Sequence, residues 1–140
     1  MSKLTFTRAR SILIALFVGG LFLQIVFTFV VFARDEIWQS TVQALVLAHL
    51  ATYSVPLGSI AGGVFARKAS TQMRVSPLAF GLALTLSTIW NLLLIGRTVL
   101  FAIRPGGDDP TAYMDYLKAV ATGGAFLTAG SLTFFFSQPE

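Results

Sequence analysis

Four stretches of this chain contain no Asp, Glu, Lys or Arg, and they determine what it can fold into. They cover residues 11–33, 37–66, 75–96 and 119–139, and each has between 21 and 30 residues. A transmembrane helix needs about 20 apolar residues to cross about 30 Å of hydrocarbon, so each stretch is long enough to span a membrane. Charged residues make up 11% of the chain, against about 25% in soluble proteins, which excludes a soluble globular domain.

The charge-free stretches predict one all-α transmembrane domain over residues 1–140. Its four membrane-spanning helices are expected at about 11–33, 41–66, 77–103 and 117–136. Ser76 and Pro77 give an N-cap followed by proline at the first helical position, a start signal for the third helix. Asp109 and Pro110 repeat the signal and predict a helix that runs into the fourth span. Because short links join neighbouring antiparallel helices, the expected fold is an up-down-up-down four-helix bundle.

The charges between the spans predict how the chain is oriented. Six basic residues fall on one side of the membrane: Lys3, Arg8, Arg10, Arg67, Lys68 and Arg74. Arg34, Arg104 and Lys118 fall on the other side together with five of the six acidic residues: Asp35, Glu36, Asp108, Asp109 and Asp115. Because positive charge is retained in the cytoplasm, we expect both termini there. The first apolar stretch, at 23 residues, is too long for a signal peptide, so we expect a multi-pass plasma-membrane protein, with a bacterial inner membrane fitting best.

Composition excludes several classes of site. The chain has no Cys and one His, so it lacks a thiol nucleophile, a disulfide and a histidine-rich metal site. No acidic residue lies within a span, although proton-coupled carriers typically use one, and no Ser/His/Asp or paired-carboxylate arrangement is available. We therefore expect no enzyme activity, no cofactor and no metal. The loops are too short for a nucleic-acid-binding fold, and membrane orientation explains the net charge of +4.

Several polar residues lie near the middle of the predicted spans. They are Gln24, His49, Tyr53, Asn91 and Thr128, with Arg97 closer to the outer boundary. Polar groups in hydrocarbon need partners, so we expect these side chains to face protein or water. They could form interhelical hydrogen bonds that fix helix register, or line a pore or small binding cavity, which His49 could make pH-sensitive. Arg97 could extend to the headgroups, pair with an outer acid or face a central cavity.

Small residues recur every four positions on three of the spans. The rows are Ser54, Gly58, Gly62 and Ala66 on the second span, Ala79, Ala83 and Ser87 on the third, and Ala121, Ala125 and Ala129 on the fourth. Such rows allow two helix backbones to approach closely, which favours helix association in lipid. The contact could lie within one bundle or between subunits, and the pattern does not distinguish the two.

The five acidic residues on the predicted outer side of the membrane also have two interpretations. In a symmetric oligomer its five acids would form a ring at an outer mouth, and acidic rings favour cations. Alternatively, they reflect the ordinary shortage of positive charge on an outer face. Asp109 has a capping role in either case. Tyr113 and Tyr116, in the first turns of the fourth helix, are expected at the level of the headgroups.

These features leave three hypotheses about function. The favoured one is a homo-oligomeric ion-permeable channel or membrane-disrupting effector, because the chain combines a polar layer with small-residue faces. In size and span number it is similar to small four-span proteins that oligomerise as channels, including phage-exclusion and bacterial-defence membrane effectors. The others are a non-conducting accessory or scaffold subunit, and a small-molecule carrier that binds through Arg97 and a second helix bent at Pro56. Expected partners are the lipid bilayer, further copies of the chain and another membrane or cytoplasmic protein, but no nucleic acid.

Overall fold

The computed structural model describes residues 5–34, 37–66, 76–104 and 109–137, with all of their side chains except those of 64–66 and 137. These residues form four long helices: α1 (Phe6–Ala33), α2 (Gln39–Ala66), α3 (Pro77–Ile103) and α4 (Pro110–Ser137). Each helix is long and apolar enough to cross a membrane. The predicted all-α, four-span membrane bundle is therefore confirmed, and the chain is a small multi-pass membrane protein.

Capping residues explain where three of the helices begin. The Thr5 side chain accepts a hydrogen bond from the backbone N–H three residues later, so α1 starts at Phe6 rather than at residue 11. Ser76 makes the same bond at the start of α3, whose bounds match the prediction. Asp109 caps α4, which runs unbroken from Pro110 through the predicted span at about 117–136, as the Asp109-Pro110 signal predicted.

The helices alternate in direction, but consecutive helices are not always neighbours. Both α1 and α4 pack against α2 and α3. Within the described ranges, α2 and α3 make no close backbone approach, so they face each other across the bundle, as do α1 and α4. The expectation that each short link joins neighbouring helices is thus wrong for α2 and α3. The chain between Ala66 and Pro77 could extend over roughly 30 Å, which exceeds the roughly 13 Å diagonal of four helices packed 8–10 Å apart.

Close helix packing depends on three Gly-Gly pairs. The second glycine of each pair faces the interior, where an added Cβ would overlap a core side chain: Gly20, Gly63 and Gly124. A Cβ on Gly124, for example, would lie 2.6 Å from Cδ1 of Trp90. The first glycine of each pair faces outward, and a Cβ there would meet nothing within 4 Å: Gly19, Gly62 and Gly123. Each pair therefore has one member that the fold requires and one that it does not.

Apolar layers close both ends of the core. Where α1 begins (the Phe6 end), four aromatic rings pack together: Phe6, Phe80, Phe135 and Phe136. At the opposite end (the Trp38 end), the Phe101 ring stacks on Tyr113 with centroids 4.5 Å apart. Val31 and Leu45 are buried at the same end. The middle of the core is thereby separated from both ends of the bundle.

Large apolar side chains cover the outside of the bundle. Phe22, Leu92 and Phe126 are 65%, 63% and 80% exposed. A soluble monomer rarely presents extended apolar surface to water. Lipid tails solvate such side chains without penalty because they are as apolar as leucine. The outer surface therefore fits a hydrocarbon environment along all four helices.

Gly123 and Gly124 should respond differently to the same substitution. Gly124→Ala should be less stable than Gly123→Ala by about 1–3 kcal/mol, because overpacking would force Trp90 away from α4. The two variants gain the same helix propensity, so their difference isolates the steric effect. Reversible unfolding in mixed detergent micelles measures the free energy of each. Equal stabilities would contradict the assignment of these glycines to opposite faces.

Candidate functional site

Seven polar side chains from all four helices meet inside the half of the bundle nearer the Trp38 end. We call them the polar cluster, and each is at most 2% exposed: Gln24, Thr28, His49, Tyr53, Asn91, Thr98 and Tyr113. Helices α1, α2 and α3 contribute two residues each, and α4 contributes one. Groups this deep in hydrocarbon have no water to bind, so their partners must come from within the bundle.

The Tyr53 hydroxyl is the central link of the cluster. It accepts a hydrogen bond from Nε2 of Gln24 at 2.7 Å and donates one to Oδ1 of Asn91 at 2.9 Å. One oxygen atom thus joins α1, α2 and α3. The amide nitrogen of Asn91 donates to the Ser87 carbonyl at 2.9 Å, which satisfies the other end of that side chain. A Cβ on Gly20 would lie 2.8 Å from the Tyr53 hydroxyl, so this glycine makes the arrangement possible.

Thr98 connects the cluster to α4. Its hydroxyl lies 2.8 Å from the Leu94 carbonyl, 2.6 Å from the Tyr113 hydroxyl and 3.4 Å from Oε1 of Gln24. A hydroxyl has one proton to donate, and the carbonyl bond uses it. Tyr113 therefore donates to Thr98, and the oxygen of Tyr113 lies 3.4 Å from Nε2 of His49.

The His49 ring completes the cluster between α1 and α4. Its Nε2 lies 3.3 Å from Oγ1 of Thr28, whose own proton goes to the Gln24 carbonyl at 3.0 Å. The ring therefore donates its Nε2–H towards the oxygens of Thr28 and Tyr113. Its Nδ1 is buried and has no hydrogen-bond partner among the described residues. A second proton would have no acceptor there, so these contacts favour a neutral, structural histidine.

Two residues predicted for the polar layer lie elsewhere. Arg97 is half-buried on α3, and its guanidinium carbon is 5.8 Å from the centre of the half-buried Tyr116 ring on α4. Thr128 is buried, but it lines a groove between α3 and α4. Four of the six predicted residues therefore meet in the cluster: Gln24, His49, Tyr53 and Asn91. A role for any of them in a pore stays a prediction.

The small-residue rows of α2 and α4 face in different directions. On α2, three members of the row are exposed on the outside of the bundle: Ser54, Gly58 and Gly62. The fourth member, Ala66, ends α2, and its side chain lies outside the described residues. On α4 the row faces inward, with Ala125 buried and Ala121 and Ala129 half-buried. Whether the α2 row forms an oligomer contact stays a prediction.

The acids proposed for an outer mouth are only partly described. Asp35, Glu36 and Asp108 lie outside the described residues. Asp109 accepts a hydrogen bond from the Thr111 N–H at 2.9 Å as the cap of α4. Asp115 pairs with Lys118 at 3.1 Å, and both side chains are largely exposed. The two described acids therefore have local partners, and an acidic ring stays a prediction.

Two grooves mark the outer surface. One of about 660 Å³ lies between α1 and α2 near the Trp38 end, with walls that include Phe29, Phe32, Val46 and Leu47. The other, of about 110 Å³, lies between α3 and α4 halfway along the bundle, and its lining includes Trp90, Leu93, Gly124 and Leu127. Both open towards the surface that lipid or another chain would contact.

Three members of the polar cluster were missed from sequence. Thr28 follows Gln24 by one helical turn, and Thr98 follows Asn91 by two, so the repeated polar spacing was the available signal. Tyr113 was expected at the headgroup level, and that depth stays a prediction, but the orientation of its side chain into the bundle was not foreseen. Its side chain is fully buried because the hydroxyl bonds to Thr98 and the ring stacks on Phe101.

Removing the central hydroxyl should destabilise the bundle. Tyr53→Phe should lower the free energy of unfolding by about 1–3 kcal/mol, because the amides of Gln24 and Asn91 would remain buried without their shared partner. Tyr116→Phe is the matched control, since its hydroxyl is exposed and lies 3.4 Å from the Leu93 carbonyl. That control should change stability by less than about 0.5 kcal/mol. The free energy of unfolding of both variants is measured in mixed detergent micelles. Equal losses of stability in the two variants would refute the central role of Tyr53.

Comparisons with known proteins assign the chain to no family. No protein-family model, no curated protein and no solved structure matches it. Across residues 5–34, 37–66, 76–104 and 109–137, no group of three or more His, Asp or Glu residues could hold a metal ion. Any proposal for its function therefore rests on the geometry of the chain itself.

Proposed function

We propose that the chain is a non-conducting structural subunit of a membrane assembly. The observation that carries the proposal is the outward orientation of Ser54, Gly58 and Gly62 on α2. Small residues in rows allow close helix contact. Within the bundle this row has nothing to contact, because a Cβ on Gly58 or Gly62 would meet no atom within 4 Å. The face is therefore suited to a helix from another chain.

The interior supports a structural role for the bundle itself. A pore through the bundle would require polar side chains that water can reach. Gln24, His49 and Asn91 are buried and take part in hydrogen bonds within the chain. Aromatic layers lie beyond them at both ends of the core. This arrangement disfavours conduction along the axis of a single bundle.

A channel or membrane-disrupting effector remains the second candidate, in the form of a pore between copies. The same outward row of α2 favours it, since a close contact between subunits is the first requirement of such a pore. The carrier hypothesis has less support, because Arg97 packs against Tyr116 outside the polar cluster. The arrangement of the described residues gives no reason to add an enzyme activity to these candidates.

Orientation and location are part of the proposal. Both termini are placed in the cytoplasm of a plasma membrane, and a bacterial inner membrane fits best. The support is the charge difference between the ends of the bundle. In the sequence, the segment before α1, the first turns of α1 and the link from α2 to α3 carry six basic residues and no acid, whereas the segments that link α1 to α2 and α3 to α4, with the start of α4, carry five acids and the basic residues Arg34, Arg104 and Lys118.

Ion flux through proteoliposomes, with oligomer size measured on the same sample, tests the proposal. We expect a defined oligomer without flux, at any pH or voltage tried, because the polar cluster is closed. Ion flux from a defined oligomer would contradict the non-conducting role and favour the channel candidate. A chain that stays monomeric in bilayers at high protein density would contradict both.

Two variants would locate a pore if flux were observed. Asn91→Leu should reduce flux if ions pass through the bundle, since Asn91 belongs to the polar cluster. If ions pass between copies, Asn91→Leu should leave flux unchanged. Gly58→Leu combined with Gly62→Leu should then abolish flux together with assembly, because both positions are open on the outside of α2.

A further inference from the structure

Two buried donors of α3 have no partner among the described residues, the Ser87 hydroxyl and the Trp90 indole N–H, and of the two the indole lines a groove on the outer surface. Trp90 is 3% exposed, and its ring packs against Tyr53 and Phe17 with centroids 4.9 and 5.7 Å away. Its Nε1 makes no hydrogen bond with any residue the structure describes. Buried donors in proteins almost always have an acceptor. In hydrocarbon this one cannot obtain it from water.

The unpartnered donor lies at the groove between α3 and α4. The Nε1 edge of Trp90 faces Gly124, where a Cβ would be 2.9 Å from Nε1, and both residues line the groove. Trp90 and Gly124 are halfway along their helices, which places the groove near the bilayer midplane. Lipid headgroups and ester carbonyls lie about 15 Å away, at the edge of the hydrocarbon. An acceptor that reached the indole from the groove at this depth would have to come from another membrane helix.

The outer face of α2 offers such an acceptor at the same depth. Ser54 follows Tyr53, whose ring contacts Trp90 and whose hydroxyl bonds to Asn91. Ser54 is exposed, and its Oγ donates its proton to the Ala51 carbonyl at 2.7 Å. The oxygen lone pairs are therefore free to accept a hydrogen bond. In two copies inserted in the same direction, Ser54 of one lies level with Trp90 of the other.

We propose that the α2 face of one copy docks in the α3–α4 groove of the next copy. Ser54 Oγ accepts from Nε1 of Trp90, and Gly58, one turn along α2, allows close approach of the backbones. Docking requires the side chains of Leu93 and Leu127 to part, because they are 54% and 58% exposed beside the groove and the indole N–H lies beneath its surface. The proposal rests on the assembly role above and names its partner as a second copy.

This contact joins two different surfaces of the chain. Such head-to-tail contacts between identical subunits build rings or open filaments, whereas a contact of α2 with α2 would build a two-fold dimer. The docked copies share one orientation in the membrane, as chains inserted by the same charge rule do. The geometry therefore predicts which residues approach each other between copies and which do not.

Cysteine cross-linking tests the contact directly, because the chain has no cysteine of its own. Ala51→Cys and Leu93→Cys are placed on two differently tagged copies and oxidised in native membranes. Ala51 precedes Ser54 by three residues and Leu93 follows Trp90 by three, so in antiparallel helices both lie one turn nearer the Trp38 end. We expect a disulfide between the two tagged chains. Phe22→Cys replaces Ala51→Cys in the matched control, where an exposed residue of α1 should give no cross-link with Leu93→Cys.

Each other outcome overturns the docking mode. Cross-linking of Ala51→Cys with itself, without the mixed product, would assign the α2 face to a two-fold contact. An oligomer that gives neither product would refute this interface and leave the assembly role intact. A monomer at every protein density would refute both.

The hydrogen bond itself has a separate readout. Ser54→Ala should weaken association about threefold, the factor expected for one interhelical hydrogen bond in lipid. In a Trp38→Phe background, Trp90 is the sole tryptophan, and the vibrational band that reports indole N–H hydrogen bonding should shift on association. Ser54→Ala should abolish that shift without unfolding the bundle, because Ser54 is outside the core. A band that does not change on association would overturn the proposed bond.

Discussion

Within a bilayer every buried polar group needs a partner from protein, and the Tyr53 hydroxyl meets this constraint for three helices at once. It binds the amides of Gln24 and Asn91, while Tyr113 attaches α4 through Thr98. Rotating or sliding one helix by a turn would leave several of these groups unpaired in hydrocarbon. Because lipid supplies no hydrophobic drive between helices, the cluster and close packing have to set the register instead.

Glycine determines where that close packing is possible. Gly20 leaves room for the Tyr53 hydroxyl, and Gly124 leaves room for the Trp90 ring. In each Gly-Gly pair the adjacent residue points about 100° away around the helix and faces outward. The outward glycines contribute nothing to packing within the chain, since an added Cβ would meet no atom. In α2, the pair that places Gly63 in the core thus also places Gly62 on the outer row that begins with Ser54 and Gly58.

The four spans could be predicted from sequence because absence of charge over 20 or more residues has one structural meaning. The bounds of α3 were correct because Ser76 and Pro77 mark its start. Depth along the helices was predictable too, and four of the proposed polar residues meet in the cluster. The placement of α2 opposite α3 was not predictable, because loop length permits either arrangement. The burial of Tyr113 was missed because its position along the chain gives its depth but not the direction of its side chain.

Like Ser87 and His49, Trp90 has a buried polar atom without a partner among the described residues, but of the three it is the one that lines the α3–α4 groove, so it bears on how copies meet. The cluster shows that this fold can pair deep polar groups with one another, yet the indole N–H beside it has no acceptor within the described chain. Phenylalanine would fill much of the same space beside Phe17 without burying a donor. An indole at this position costs stability in a lone bundle, and an oxygen from a neighbouring helix would offset that cost. In the proposed docking mode, the buried Trp90 of the α3–α4 seam would therefore link the stability of one chain to its contact with another.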